Sequence, residues 1–280
     1  MIVPRTTTSS PGRHYDDLDA FYREVWGEHV HHGLFLSGRE TVAEATDALA
    51  DRVIGAAGLD TTSRVVDIGC GYGATAHRAA VTTGAHVTGL TLSAEQAAVA
   101  RDRAVPESVP RPEIRVRDWL ANGLPDAAFD AAWAVESTTH MPDRPRVFAE
   151  VARVLKPGGR FVLCVWAVSD GPAPWHVRHL LEPICREGRL AGMGTMDENW
   201  AWIESAGLVV EREEDWSRVV APTWTIVARR VLRGLATDER YRRAVVRGEG
   251  VFALTVPRLV LAFRTGAMRY GFVVARKPVA

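Results

Sequence analysis

The sequence predicts an α/β protein built on a doubly wound, seven-stranded sheet, with helical segments before and after it. Three observations carry this. From Ser63 to Trp166, short apolar runs alternate with helix-length segments, the order that builds a parallel sheet. A glycine turn, "VVDIGCGYG" at Val65–Gly73, follows directly on the first of those runs. The chain has 280 residues, 47% of them hydrophobic, enough for one large α/β core with appended elements.

Residues 1–13 are rich in Thr, Ser, Pro and Gly and read as a flexible tail. Residues 14–60 are mostly helical. Tyr15, Phe21, Tyr22 and Trp26 lead into "GEHVHHGLFLSG", and Thr41 to Ala57 is an amphipathic helix with Val42, Ala45, Leu49 and Val53 on one side. Residues 61–168 form the core. Its strands are Arg64–Ile68, His86–Leu90, Glu113–Arg117, Phe129–Val135 and Arg160–Trp166. Between them, Ala74–Thr82, Ser93–Arg103 and Asp143–Val154 read as helices, the second opened by a Ser93 cap with Gln96 three residues on, the third stopped by "KPGG". Residues 169–280 relax into a cap that carries the last two strands. "SDGPAP" is a linker, 175–190 is helical, and "DENWAWIESAGL" is a helix ending at Gly207. Val209–Glu213 is a sixth strand, Ala221 to Arg264 is mostly helical and arginine-rich, and Tyr270–Ala275 is the last strand.

Composition excludes several classes. Acids and bases balance at 34 each, which argues against a broad electrostatic grip on nucleic acid. The three cysteines, Cys70, Cys164 and Cys185, lie far apart, so neither a disulfide framework nor a zinc site is expected. No apolar run reaches the roughly 18 residues that span a bilayer, and the N-terminus lacks the apolar core of a signal peptide. The expectation is a soluble cytoplasmic protein, monomer or homodimer, with a small-molecule substrate.

The glycine turn has the spacing GxGxG, not the GxGxxG of a dinucleotide site. Asp67 stands two residues before Gly69 and would repel a phosphate at close range. It suits an ammonium group, or holds the loop through backbone N–H groups. S-adenosylmethionine (SAM) has no phosphate and carries an α-ammonium, so the turn favours SAM over a nicotinamide cofactor. A tight turn with no ligand is the remaining reading.

The chain also resembles the class I SAM-dependent methyltransferases from about Ser63 to Trp166. "VVDIGCGYG" is similar to their first motif, and "FDAAWAVESTTHMPDRPRVFAEVARVLKPGGRFVL" to their fourth strand, following helix and fifth strand. "GLTLSAEQ", "ESTTHMPDR" and "EDWSRVVAPTW" resemble most closely the branch of tocopherol and sterol methyltransferases and related small-molecule enzymes, and "WGEHVHHGLF" resembles that branch's N-terminal lid. The resemblance implies a Rossmann-like fold with an N-terminal helical lid and helical cap insertions, and SAM as cofactor with S-adenosylhomocysteine (SAH) as product. It places Asp67, Gly69, Cys70 and Gly71 at the methionyl moiety. Many members of the wider superfamily end the second strand with an acid on the ribose; here that place is Leu90-Thr91-Leu92, so Thr91, Leu92 and Gln96 are carried over instead. Asp118 and Trp119 follow the third strand, where this family clasps the adenine, although Asp118 also reads as a helix N-cap.

Methyl transfer needs alignment and a destination for the acceptor's proton. Candidate residues lie at carboxyl ends of strands near the glycine turn. Glu136 and His140 follow the fourth strand: His140 as base, Glu136 orienting it or stabilising a transient cation. The plainer readings are a packed loop histidine and an acid pinning the N-terminal segment. Asp143 is expected to be a cap. Trp166, His32 and Phe35 are the expected substrate contacts, with Trp175, Trp200, Trp202, Trp216 and Trp224 left open. The triplet His29, His31 and His32 lacks metal-ligand spacing, so no metal is expected. The arginine-rich helix from Ala228 to Arg247 reads as a solvated face. The function expected is methyl transfer to oxygen or nitrogen of a hydrophobic small molecule, a specialised metabolite. The rivals are C-methylation of a prenyl, terpenoid or aromatic carbon and, more remotely, non-catalytic SAM binding.

Overall fold

The computed structural model describes residues 2, 31–239, 242 and 251–279. The expected tail, the aromatics Tyr15, Phe21, Tyr22 and Trp26, and most of 240–250 in the arginine-rich stretch lie outside these residues.

The described chain begins its regular structure with α1 (Val42–Ala57), opened by a capping box in which Thr41 and Glu44 satisfy each other's backbone N–H. Then follow β1 (Arg64–Ile68), α2 (Ala74–Thr83), β2 (His86–Thr91), α3 (Ala94–Asp102) and β3 (Glu113–Val116). A short turn at Trp119–Ala121 leads to β4 (Phe129–Val135), a second at Thr138–His140 to α4 (Arg144–Val154), and β5 runs Leu155–Val168. Asp143 caps α4 as expected, accepting from the Arg146 N–H. The cap begins with Pro174–His176, a π-helical turn Val177–Leu181 and α5 (Glu182–Glu187). It continues with α6 (Met196–Ser205), β6 (Val209–Asp215), α7 (Ser217–Val220), α8 (Pro222–Thr237), α9 (Val251–Arg264) and β7 (Met268–Arg276).

The strands form one sheet of seven in the order β3-β2-β1-β4-β5-β7-β6. The parallel expectation holds for β1 to β5; β7 runs antiparallel between β5 and β6. The reason is where the chain arrives. Met268, the first residue of β7, pairs with Val168, the last of β5, so the chain enters from the end where β5 finishes and must run back. The "KPGG" segment differs too. It belongs to β5 as an irregularity that shifts register against β4 between Phe129 and Ala131, stitched to Lys277 by the Gly158 N–H and the Gly159 carbonyl.

Val66, Ile68, Phe148, Phe161 and Trp200 pack one face of the sheet under α4 and α6; Val65, Trp133, Phe272, Leu49 and Val53 pack the other under α1 and α2. A third cluster, with Leu181, Ile184, Trp224, Leu259 and Met268, holds the cap together. The chain moves outward from β1 to β3 and then returns to place β4 beside β1. The carboxyl ends of β1 and β4 therefore flank the crevice where open α/β sheets bind ligands.

Candidate active site

A single cavity opens at that crevice. One end is bordered by Gly69, Gly71, Leu90–Leu92, Gln96, Asp118, Trp119 and Ser137. The other is bordered by His31, His32, Thr139, His140, Met141 and Trp166, under a roof of Ile184, Leu190, Trp224 and Leu259 from the cap.

The glycine end fits SAM. Gly69, Gly71 and Gly73 all take the left-handed conformation. A Cβ on Gly69 would stand 2.3 Å from the Ser137 Cβ, so only glycine lets the β1 and β4 loops meet; Ser137 seals the contact by donating to the Ile68 carbonyl. A Cβ on Gly71 would meet nothing within 4 Å, because that position borders the cavity. On the ribose side, the Thr91 hydroxyl donates to the Gln96 carbonyl oxygen at 2.9 Å. Gln96 is thereby fixed with its NH2 as the group it offers, and Thr91 is left to act through its backbone. Leu92, 48% exposed, forms an apolar rim. Asp118 is the cap of its turn, with Oδ1 accepting from the Leu120 N–H at 2.9 Å, and it also lines the cavity, so both readings of this residue meet at one carboxylate. Trp119 is buried, its indole N–H donating to the Val147 carbonyl.

Two expected cofactor contacts lie behind the loop instead of on the cavity wall. Burial pushes the Asp67 carboxyl up to about 7, against a smaller opposing influence of the Trp133 indole. Cys70 packs toward Ala97, Ala100 and Ile114, close against Gly89, and burial raises its thiol well above the ordinary range. Its backbone N–H, held by the Leu90 carbonyl at 2.8 Å, ties the glycine turn to β2.

Glu136 sits at the centre of the other end. It directly follows β4 with φ +57, a conformation a non-glycine residue keeps only when its surroundings impose it. Four donors do so. Oε1 accepts from the His32 backbone N–H (2.8 Å), His32 Nδ1 (3.0 Å) and the Tyr270 hydroxyl (2.8 Å), and Oε2 from the Trp166 indole N–H (2.9 Å). Burial works against ionisation, but electrostatic attraction to His32 and its hydrogen bonds hold the carboxyl down at about 2. The pinning role is thus realised, and the carboxylate has its lone pairs committed.

His32 stands over this carboxylate, 1% exposed, in a box of rings: Trp166 at 5.4 Å, Trp224 at 5.2 Å, Phe263 at 5.6 Å and Tyr270 at 5.1 Å between centroids. Its Nε2 is buried and has no hydrogen-bond partner among the described residues. Beside it, the His31 Nδ1 meets the His32 carbonyl at 2.8 Å, and burial lowers the His31 pKa. His140 also lines the cavity, its Nδ1 3.4 Å from the Arg189 carbonyl. Burial depresses its pKa to about 4, with the Arg189 carbonyl opposing and the Arg144 guanidinium assisting.

Phe35 is not at this cavity. Gly33 packs so tightly on α1 that a Cβ there would stand 2.6 Å from the Ala45 Cβ, and the Leu34 N–H bonds the Ala45 carbonyl. The turn carries Phe35 to a second cavity, with Pro222, Ile226 and Phe263. Ser137, Tyr270 and the roof residues Ile184, Leu190 and Leu259 were not singled out by sequence. Tyr270 lies 134 residues from Glu136, and no local pattern signals that pairing. His29 lies outside the described residues; among the described residues no group of three or more His, Cys, Asp or Glu side chains is arranged to hold a metal ion. No described helix is long and apolar enough to cross a membrane.

Known proteins match this arrangement along nearly its whole length. The family described as "Methyltransferase domain" matches residues 66–163. The 27-O-demethylrifamycin SV methyltransferase of Amycolatopsis mediterranei is 35% identical, covering 99% of this chain and 100% of its own. The chloroplastic tocopherol O-methyltransferase of Arabidopsis thaliana is 30% identical over 95% of this chain and 81% of its own. Among solved structures, the [4+2]-cyclase SpnF superposes with a TM-score of 0.80 at 29% identity, covering 99% of both chains.

Proposed function

The chain belongs to the class I SAM-dependent methyltransferases, and from that premise we propose that it methylates a hydroxyl oxygen of a hydrophobic small molecule, a specialised metabolite. One observation carries the reading: a single cavity joins the glycine turn to a largely apolar chamber roofed by Ile184, Leu190, Trp224 and Leu259. The relatives named for O-methylation support oxygen over nitrogen. SAM supplies an activated methyl group. Gly69, Gly71, Leu92, Gln96, Asp118 and Trp119 are placed to hold it, and Trp166 and the cap to orient the acceptor and exclude water. His140, held near 4, stays neutral at physiological pH and lines the cavity where it orients the acceptor. A cytoplasmic protein, as monomer or homodimer, goes with this reading.

C-methylation has one observation in its favour. Glu136 is ionised and bonded to the Trp166 indole, and the Trp166 and Trp224 rings pack edge to face beside the cavity, surroundings that would stabilise a carbocation. The two readings separate in one experiment. The protein is incubated with [methyl-13C]SAM and either 27-O-demethylrifamycin SV or a chromanol phenol, and the labelled carbon of the product is observed by NMR. A methoxyl signal is expected. A C-methyl signal, or no labelled product from any hydroxylated acceptor, overturns O-methylation.

A further inference from the structure

We infer that His32, oriented by Glu136, is the group that takes the acceptor's proton during methyl transfer, and that Glu136 is its positioning residue. The inference rests on the O-methylation reading and assigns the base within it.

The geometry is that of a carboxylate–imidazole dyad. Glu136 Oε1 lies 3.0 Å from His32 Nδ1 and already accepts from the His32 backbone N–H and the Tyr270 hydroxyl. An ionised carboxylate can only accept, so the contact requires a proton on Nδ1; in the neutral ring Nε2 is then the nitrogen that carries the lone pair. That Nε2 is buried and finds no hydrogen-bond partner among the described residues, in a residue that lines the cavity. A buried polar atom left unmet costs free energy in the resting fold. A substrate hydroxyl arriving from the cavity would satisfy it. Trp166, Trp224, Phe263 and Tyr270 surround the ring, and two of them, Trp166 and Tyr270, also hold Glu136. This is the logic by which a buried carboxylate selects a tautomer and stabilises the imidazolium that forms.

His140 is the weaker candidate. Its Nδ1 lies 3.4 Å from the Arg189 carbonyl, and its depressed pKa makes it a poor proton acceptor near neutrality. In the step assigned to His32, the acceptor oxygen forms its bond to the methyl carbon as the carbon–sulfur bond breaks, that electron pair staying on sulfur. The hydroxyl proton passes to His32 Nε2 and is later lost to solvent. Among the described residues, the charged and titratable groups around the ring include Glu136, Tyr270 and His31.

The test has two arms. In the first, 15N-histidine spectra of the SAH-bound protein are recorded from pH 6 to 8. The expected signature is a His32 ring protonated on Nδ1 alone, and Glu136→Gln removes that preference. A ring protonated on Nε2, or on both nitrogens throughout, would make the pair a fixed structural contact and overturns the inference, whether or not an acceptor is known. In the second arm, turnover with the methylated acceptor of the preceding experiment is compared for His32→Asn, which keeps a donor toward Glu136 but has no Nε2. A fall in kcat on the order of 100-fold or more is expected, with SAH affinity unchanged. Turnover within threefold of the parent protein, in a variant that binds SAH normally, overturns it. If the parent protein methylates no hydroxyl, the O-methylation reading fails while the spectra still decide the dyad.

Discussion

Two alanine substitutions two residues apart in the glycine turn should fail for different reasons. Gly69 has φ +78, and a Cβ there would stand 2.3 Å from the Ser137 Cβ. Left-handed backbone costs a non-glycine residue about 1–2 kcal/mol, and overpacking at so short a contact adds roughly 1–3 kcal/mol. Gly69→Ala should therefore lose roughly 2–5 kcal/mol of stability, or roughly 5–15 °C in Tm for a chain of this size. Gly71 has φ +52 but no atom within 4 Å of an added Cβ. Gly71→Ala should lose only the backbone cost, about 1–2 kcal/mol, yet its methyl group projects at the cavity wall where the cofactor is expected. The assay is thermal unfolding without ligand beside titration calorimetry with SAH. Gly71→Ala should unfold close to the parent protein while its SAH affinity falls about tenfold or more, a loss of about 1.4 kcal/mol. If Gly71→Ala binds SAH as tightly as the parent protein, the placement of the cofactor at this turn is refuted.

Further expectations follow from single contacts. The Asp67 carboxyl rises on folding from 3.8 to about 7, so the folded state holds this proton more tightly and stability falls as pH rises between those values. Three units correspond to an upper bound of about 4 kcal/mol; Asp67→Asn should flatten the decline of Tm between pH 5 and 7.5, and an unchanged slope refutes the burial argument. Trp166→Phe removes the indole donor from Glu136 Oε2. It should lower kcat on the order of tenfold with SAH affinity intact, measured as steady-state methyl transfer. His140→Asn should raise the acceptor's KM several-fold and leave kcat within about tenfold, since its role is to orient. Gly89→Ala drives a Cβ against Cys70 Sγ at 2.9 Å and Ile114 Cδ1 at 2.8 Å. It should lower Tm, and adding Cys70→Ala should recover part of the loss; no recovery would show that Ile114 alone sets the clash.

Much of the fold is legible because strands and caps are local signals. β1 and β4 fall at their expected bounds, and the capping residues Ser93 and Asp143 act where the spacing puts them. Only half of the expected Ser93 box forms, because Gln96 turns its side chain to Thr91 instead. The site is legible where chemistry follows a strand end, as with Glu136, His140 and Trp166. It is not legible where side-chain direction decides. Asp67 and Cys70 flank glycines that reach the cavity, yet both point behind the loop. Phe35 is three residues from His32 and lines a different cavity, because Gly33 lets the chain fold down on α1. Tyr270, Ile184 and Leu259 arrive from distant segments, and only the closed sheet shows where they land.

The placement of β7 bears on how the protein is made. Glu136 is bonded by residues contributed from before α1, from β5 and from β7. During synthesis from the N-terminus, β1 to β5 can pair before Met268 has been translated, but Tyr270 cannot yet donate to the carboxylate. The glycine turn is thus complete in a nascent chain that still lacks part of the ring box around His32. Such long-range closure slows the final stage of folding. Assembly of the acceptor end therefore waits for the last strand.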